Sequence, residues 1–208
     1  MRKVVVVGKG GLAREVKAML DRINQVEKTW EFAGYVINDS EEPDVFGDDE
    51  KLILTEEKLD VIIALGCAEL RKKLYLKYKK NLNLQFPSII DPSVKMTDTV
   101  KMGKGNIFCP GSILTVNVEV GDFCLINMGC TIAHDCLLDD YVSVNPGCNL
   151  SGNVRIGCFT EVGTGSQIVQ GITIGKEVDI WAGSVVIKSL ADKCVVVGVP
   201  AKIIMHKD

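Results

Sequence analysis

The sequence has no apolar run that approaches the roughly 20 residues a helix needs to cross a bilayer. It also has no long basic run, and its formal net charge is only −3 with 25% charged residues. Such a balance removes any general attraction to nucleic acid or to an anionic membrane. The apolar run at Val4–Val7 stops at a glycine-rich turn, which is typical of a buried strand rather than of a signal peptide. We therefore expect a cytoplasmic protein without membrane or nucleic-acid partners.

Histidine is scarce, and the cysteine spacings that bind metals are missing. His134 and His206 are the two histidines, and none of the eight cysteines forms a C-x-x-C pair. A structural zinc site draws its four ligands from such residues at recognisable spacings. We therefore predict no metal, and reduced cysteines that serve as small buried apolar residues.

What the sequence does contain is a period of six residues over its second half. From Ile90 to Val186 every sixth residue is large and apolar, which neither a helix nor a flat strand would produce. A second column, four residues after the first, is mostly small or β-branched, and it includes Cys124, Cys130, Cys136 and Cys148. Two inward positions per six residues predict a short strand and a corner. Three such units make a triangular coil of about 18 residues, and the coils stack into a parallel β-helix.

Residues 1–85 lack this period and instead alternate strands with helices. We predict strands at Val4–Val7, Phe32–Ile37 and Val61–Leu65, and helices at Leu12–Leu20 and from about Ala68 to Lys80. This order implies a small parallel sheet of Rossmann type. The strand ends then predict a nucleotide-sugar pocket, lined by Gly10, Gly11, Leu12, Asn38, Asp39 and Gly66. Two alternatives stay open, namely a dinucleotide site at Gly8-x-Gly10-x-x-Ala13 and a domain that only packs against the rest of the chain.

The repeat resembles that of the left-handed β-helix acyltransferases with hexapeptide repeats, as does the ending Val197-Gly198-Val199-Pro200-Ala201-Lys202. The segment from Ile126 to Asp135 sharpens the resemblance to one branch, the sialic-acid O-acetyltransferases and nucleotide-4-aminosugar N-acetyltransferases. The resemblance implies an α/β Rossmann-like domain at residues 1–85 and an all-β, left-handed parallel β-helix with a C-terminal tail at 86–208. It also implies acetyl-CoA as co-substrate and a homotrimer with active sites between subunits. A γ-type carbonic anhydrase shares the β-helix but needs three histidines for its zinc, and the repeat has one.

His134 is the residue in the repeat best suited to catalysis. Acetyl transfer needs a base for the attacking amine or hydroxyl, and an imidazole titrates at about pH 6.5. Asp135 can orient the ring. Gly152, 18 residues further on, should lie one coil above and offer its N–H to the oxyanion. The resemblance implies acetylation of the amine of a nucleotide-linked 4-amino-4,6-dideoxy sugar in bacterial glycan biosynthesis. O-acetylation of sialic acid or a related sugar and a non-catalytic scaffold are the alternatives.

A second corner is predicted to stack Pro146, Thr164 and Ala182 at steps of 18 residues. By resemblance, Ser143, Thr164 and Ala182 are candidate CoA contacts, offered by the subunit next to the one that provides His134. By the same resemblance, Asn127 is a candidate substrate contact. The outward Trp181 either lines that groove or covers the neighbouring subunit.

Overall fold

The structure is a computed structural model that describes residues 1–38 and 42–207. It divides into two compact units, Met1–Pro92 and Ser93–Asp208. The domain boundary between residues 85 and 86 stays a prediction.

The first unit is a five-stranded parallel sheet with helices. Its elements are β1 (Arg2–Val7), α1 (Gly11–Val26), β2 (Trp30–Val36), β3 (Val45–Gly47), α2 (Asp49–Leu54), β4 (Leu59–Ile63), α3 (Ala68–Tyr78) and β5 (Leu84–Gln85), with a short β6 (Ile89–Ile90) after them. The strand order is β3-β2-β1-β4-β5, which is the order of a doubly wound Rossmann sheet. The α/β prediction is thereby confirmed. Helix α1 buries Ala13, Val16, Met19 and Leu20, and the three larger side chains each contribute about 1.5–3 kcal/mol on burial.

The sequence reasoning did not find β3, α2 and β5 in this unit, and it ended α1 too early. These three elements are short, at three, six and two residues, so their periodicity is too brief to recognise. Helix α2 still carries a local signal, because the carboxylate of Asp48 accepts a hydrogen bond from the Lys51 N–H at 2.8 Å and caps the helix.

The second unit is a parallel β-helix. Its two-residue strands are β7 (Lys95–Met96), β8 (Lys101–Met102), β9 (Ile107–Phe108), β10 (Ile113–Leu114), β11 (Glu119–Val120), β12 (Leu125–Ile126), β13 (Thr131–Ile132), β14 (Leu137–Leu138), β15 (Ser143–Val144), β16 (Asn149–Leu150), β17 (Arg155–Ile156), β18 (Glu161–Val162), β19 (Gln167–Ile168), β20 (Thr173–Ile174), β21 (Asp179–Ile180) and β22 (Val185–Val186). Every third strand pairs in parallel, so that β10-β13-β16, β11-β14-β17 and β12-β15-β18 each belong to one face. The antiparallel pair β23 (Cys194–Gly198) and β24 (Ala201–His206) ends the chain.

Both predicted inward columns form the core. From Phe108 to Val186 the large apolar column is 0–4% exposed, whereas Met96 and Met102 at the first coils are half-buried. The cysteines of the second column also hydrogen-bond. Cys124, Cys136 and Cys148 donate their thiols to backbone carbonyls 15 residues further on, at 3.1–3.2 Å. Thr160 and Ser166 do the same with their hydroxyls. These thiols thus act as small buried donors, and none of the eight cysteines, all within the described residues, forms a disulfide bond.

One corner column explains why glycine follows the large apolar residue. A Cβ on Gly103 would lie 2.0 Å from Asp122 Oδ1, and a Cβ on Gly121 would lie 2.4 Å from Asp140 Oδ1. These carboxylates accept hydrogen bonds from backbone N–H groups 18 residues earlier, at 2.7–2.9 Å. Glycine below and aspartate above therefore form a matched pair. Both residues of the pair are replaced where Asp139 and Cys158 take the two positions, and in the next coil Gly157 faces the Lys176 backbone instead of an aspartate.

The neighbouring corner column carries stacked aromatic rings. Tyr141 lies 5.5 Å from Phe123 and 5.1 Å from Phe159 between ring centroids, and the planes are within 7° of parallel. All three residues have φ of 54–61°, which is costly for bulky side chains. The stacking and the burial of Phe123 and Tyr141 offset this cost.

Candidate active site

His134 and Asp135 form a side-chain pair on the corner that follows β13. The imidazole Nδ1 lies 2.9 Å from Asp135 Oδ2, and both side chains are about half exposed. Asp135 has a φ of +60°, a conformation that aspartate tolerates better than most residues. The hydrogen bonds from His134 and, second, from Asn117 lower the pKa of the Asp135 carboxyl. The carboxylate is therefore ionised at neutral pH and holds one ring nitrogen.

Gly152 lies directly over the imidazole. A Cβ at this position would be 2.4 Å from both Nε2 and Cε1 of His134. The register is fixed by the backbone, because the Asn153 N–H donates to the His134 carbonyl at 2.8 Å. Within residues 1–38 and 42–207, the Gly152 N–H donates to no partner. The coil above His134 thus offers a backbone donor and no side chain.

Asn117 is a member of this corner that sequence reasoning missed. Its Nδ2 donates to Asp135 Oδ1 at 3.1 Å. The available signal was the 18-residue step, because position 117 lies one coil below position 135.

The second predicted corner is present, and it is a different corner from that of His134. The Gly165 N–H donates to the Pro146 carbonyl, and the Gly183 N–H donates to the Thr164 carbonyl, so Pro146, Thr164 and Ala182 are stacked. Thr164, Trp181 and Ala182 line a cavity of about 360 Å³. Trp181 is 53% exposed.

Two other predicted residues lie near this corner rather than near His134. Ser143 is in β15 and only 3% exposed, outside the lining of that cavity. Asn127 follows β12 on the same corner, two coils below Gly163. Its Oδ1 accepts from the Met128 N–H at 2.8 Å.

The first unit has a cavity at the carboxyl ends of β1, β2 and β4. Its volume is about 430 Å³, and its lining includes Gly8, Asn38, Leu65 and Lys73. Asn38 is the predicted residue found in this lining; the Asn38 Oδ1 accepts from the Asp49 N–H at 3.3 Å. Asp39 lies outside the described residues.

The other predicted residues of this unit border the turns beside the cavity. Gly10, Gly11 and Gly66 have open space where a Cβ would be, and Gly10 is the N-cap of α1. Leu12 is half-buried in the first turn of α1. Lys9, in the loop before α1, donates hydrogen bonds to Glu42 at 2.6 Å and to Asp44 at 2.5 Å, and these bonds, first the one to Asp44, raise the pKa of Lys9.

The described residues contain neither a candidate metal site nor a helix that could span a membrane. No group of three or more His, Cys, Asp or Glu side chains there is arranged to hold a metal ion. In the same residues, no helix has the length and apolar character needed to cross a membrane.

Comparisons with known proteins give a consistent assignment. Residues 3–78 match the family model of the PglD N-terminal domain. The chain is similar to PerB from Caulobacter crescentus, solved with CoA and GDP-perosamine, with 31% identity and a TM-score of 0.90 over 98% of this chain and 97% of that one. It is also similar to the acetyltransferase domain of PglB from Neisseria gonorrhoeae, with 26% identity and a TM-score of 0.89 over 98% of this chain and all of that one. A third similar structure is WeeI from Acinetobacter baumannii, with 27% identity and a TM-score of 0.87 over 98% of this chain and all of that one.

A sequence comparison with curated proteins gave no significant match. The structural matches nevertheless span nearly the whole chain, and the first of them exceeds 30% identity. They confirm a Rossmann-like α/β domain followed by a left-handed parallel β-helix. The chain therefore belongs to the PglD-like hexapeptide-repeat sugar acetyltransferases.

Proposed function

We propose that this protein transfers the acetyl group of acetyl-CoA to the amine of a nucleotide-linked 4-amino-4,6-dideoxy sugar, with His134 as general base. One observation carries the proposal. Asp135 holds Nδ1 of His134 at 2.9 Å, which leaves Nε2 beneath Gly152, whose N–H has no partner among the described residues. A base and an oxyanion donor thus share one corner of the β-helix, as acyl transfer requires.

The reaction then follows from this arrangement. Nε2 of His134 accepts a proton from the sugar amine as the amine nitrogen attacks the thioester carbonyl and forms the new C–N bond. The Gly152 N–H donates to the oxyanion of the tetrahedral intermediate. Collapse of that intermediate breaks the C–S bond, and the thiolate of CoA leaves and takes up the proton from the imidazolium. Asp135 stabilises the imidazolium in between.

The CoA arm is assigned to the corner of Pro146, Thr164 and Ala182. Support comes from the 360 Å³ cavity beside Thr164, Trp181 and Ala182 and from relatives solved with CoA and with acetyl-CoA. Ser143 is the weakest member of this set because it is nearly buried. This corner and that of His134 are different corners of one coil. We propose that a homotrimer brings the two corners together, so that His134 of one subunit faces the Thr164 corner of the next subunit. Asn127, which lies on the Thr164 corner, would then approach the acceptor from the neighbouring subunit.

The acceptor's nucleotide is assigned to the first unit. The 430 Å³ cavity beside Asn38 is of the size usual for small-ligand sites. Gly10, Gly11 and Leu12 offer the open N-terminus of α1 to a diphosphate, and Gly66 completes the proposed pocket among the described residues. A relative was solved with GDP-perosamine, a nucleotide-linked sugar. We further propose that the reaction takes place in the cytoplasm, within bacterial glycan biosynthesis.

The direct test is thiol release from acetyl-CoA with a panel of nucleotide-linked 4-amino sugars and free sialic acids. We expect turnover with an aminosugar in the wild type and in His206→Ala, and a loss of at least about 100-fold in kcat for His134→Ala. Turnover with sialic acid alone would reassign the acceptor to a hydroxyl. No release with any acceptor, together with no CoA binding by calorimetry, would refute the enzyme proposal and leave a scaffold. A relative has also been solved with one histidine replaced by Asn or by Ala, so such variants can be expected to fold.

A further inference from the structure

Asn117 lies one coil below Asp135, on the same corner of the β-helix. We propose that Asn117 is a positioning residue, which holds the Asp135 carboxylate so that His134 keeps its proton on Nδ1 and Nε2 free. This inference rests on the proposed role of His134 as the base. It adds a third residue to the pair that sequence reasoning identified.

The geometry gives each carboxylate oxygen one partner. Asp135 Oδ2 lies 2.9 Å from Nδ1 of His134, and Asp135 Oδ1 accepts from Nδ2 of Asn117 at 3.1 Å. Asp135 is about half exposed, and an exposed pair of side chains contributes little by itself because both partners can turn into water. A charge-assisted bond to the second oxygen fixes the rotation of the carboxylate about its own axis. The orientation of the imidazole then follows from the orientation of the carboxylate.

The backbone of Asn117 is itself held by a hydrogen bond to the coil beneath it. It has a φ of +56°, a left-handed conformation in which asparagine is enriched. Its N–H donates to Oγ1 of Thr99 at 2.9 Å, one further coil down, and that hydroxyl is hydrogen-bonded to Thr97 Oγ1 at 2.9 Å. The side-chain amide of Asn117 therefore extends from a backbone position that is itself fixed by hydrogen bonds.

The consequence for catalysis concerns the tautomer of the neutral ring. The hydrogen bond made by one ring nitrogen decides which nitrogen carries the proton. While Asp135 accepts from Nδ1–H, Nε2 has a free lone pair for the substrate. If the carboxylate turns away, the fraction of His134 with its proton on Nε2 increases. In that tautomer Nε2 has no free lone pair, so it cannot act as a base beneath Gly152.

The closing experiment measures the tautomer directly. Asn117→Gly removes the amide and suits the left-handed backbone. The matched control is Asn153→Gly, because Asn153 occupies the same corner one coil above His134 with a φ of +55°. Among the described residues the Asn153 side chain makes no hydrogen bond to Asp135, and the backbone hydrogen bond from residue 153 to His134 is retained in glycine. Both variants are made in a His206→Gln background, so that the remaining imidazole is that of His134.

Long-range proton–nitrogen NMR of 15N-histidine-labelled protein, at about pH 8.5 where an ordinary imidazole is neutral, reports the two tautomers. We expect the Nδ1–H fraction to fall in Asn117→Gly and to stay unchanged in Asn153→Gly. We also expect kcat to fall about tenfold or more in Asn117→Gly alone, with the KM for acetyl-CoA within twofold of the wild type. If Asn117→Gly does not fold, Asn117→Asp is measured instead, since its carboxylate would repel Asp135 and lower the same fraction.

An unchanged tautomer in the folded variant would overturn the role of Asn117, whatever the activity. A changed tautomer without any acetyl transfer by the wild type would instead overturn the proposed function. The NMR measurement needs no substrate, and the two failures are therefore distinguishable.

Discussion

The contact between Gly152 and His134 allows one substitution to be analysed quantitatively. In Gly152→Ala, the new methyl group would lie 2.4 Å from Nε2 and Cε1 of the imidazole, whereas ordinary contacts of a Cβ begin at 3.4 Å. The ring must therefore retreat by about 1 Å, the displacement that in active sites costs about 100-fold in rate. At about 1.36 kcal/mol for each tenfold change in rate, this is a loss of about 2.7 kcal/mol of transition-state stabilisation. The fold should survive, because the imidazole is half exposed and has solvent into which it can move.

The assay is kcat/KM by thiol release, measured in a cycle with His134→Ala. If the methyl group acts by displacing the imidazole, Gly152→Ala should cost about 100-fold in the wild type and almost nothing when His134 is already alanine. The melting temperature should change by only a few degrees. Activity within threefold of the wild type would refute the reasoning, because the clash would then be relieved without moving the base. Equal losses in both backgrounds would show that the methyl group blocks the substrate instead.

Three further predictions concern the β-helix and its thiols. At pH 8, Ellman's reagent should label the exposed Cys67 at once but Cys130 only on unfolding, because burial raises the pKa of Cys130 to about 11 and leaves little thiolate; fast labelling of more than Cys67 and the half-buried Cys158 would contradict the buried column. The single variant Cys158→Asp should lower the melting temperature, because its carboxylate would meet the Asp139 side chain. The double variant with Asp139→Gly should restore the aspartate–glycine pair and be more stable than the single variant by about 1 kcal/mol. Additive effects of the two substitutions would argue against the pairing. Tyr141→Ala should lower the free energy of unfolding by about 3 kcal/mol in urea denaturation, since it interrupts the aromatic stack while alanine keeps the strain of the left-handed backbone; a loss under 1 kcal/mol would mean that the stack contributes little to stability.

Repetition explains how much of the β-helix could be predicted. Each coil repeats the same inward positions, so the column that contains Ile132 and Leu150 was assigned without knowing any contact. The same regularity predicted that Gly152 lies above His134. Short elements of the first unit, such as α2, carry no comparable repetition, and they were missed for that reason.

The site in the first unit was less predictable than the corner of His134. Its cavity is lined by residues from three strand ends and α3, among them Gly8, Leu65 and Lys73, which lie far apart in the sequence. The glycine-rich turn drew attention to Gly10 and Gly11, but these border the turn rather than the cavity. Sequence spacing does not indicate which face of a helix or loop will meet a neighbouring strand.

Because histidine is scarce in this sequence, the repeat contains a single imidazole, and the six-residue period puts it on a corner. The sequence by itself determined these two features, because a β-helix translates chain distance directly into vertical distance at a fixed step. Only the tertiary structure decided which atoms meet across that step. The amide of Asn117 reaches one oxygen of Asp135, and the imidazole occupies the space beside Gly152. These contacts depend on side-chain rotamers and left-handed corners, which a period in the sequence does not specify.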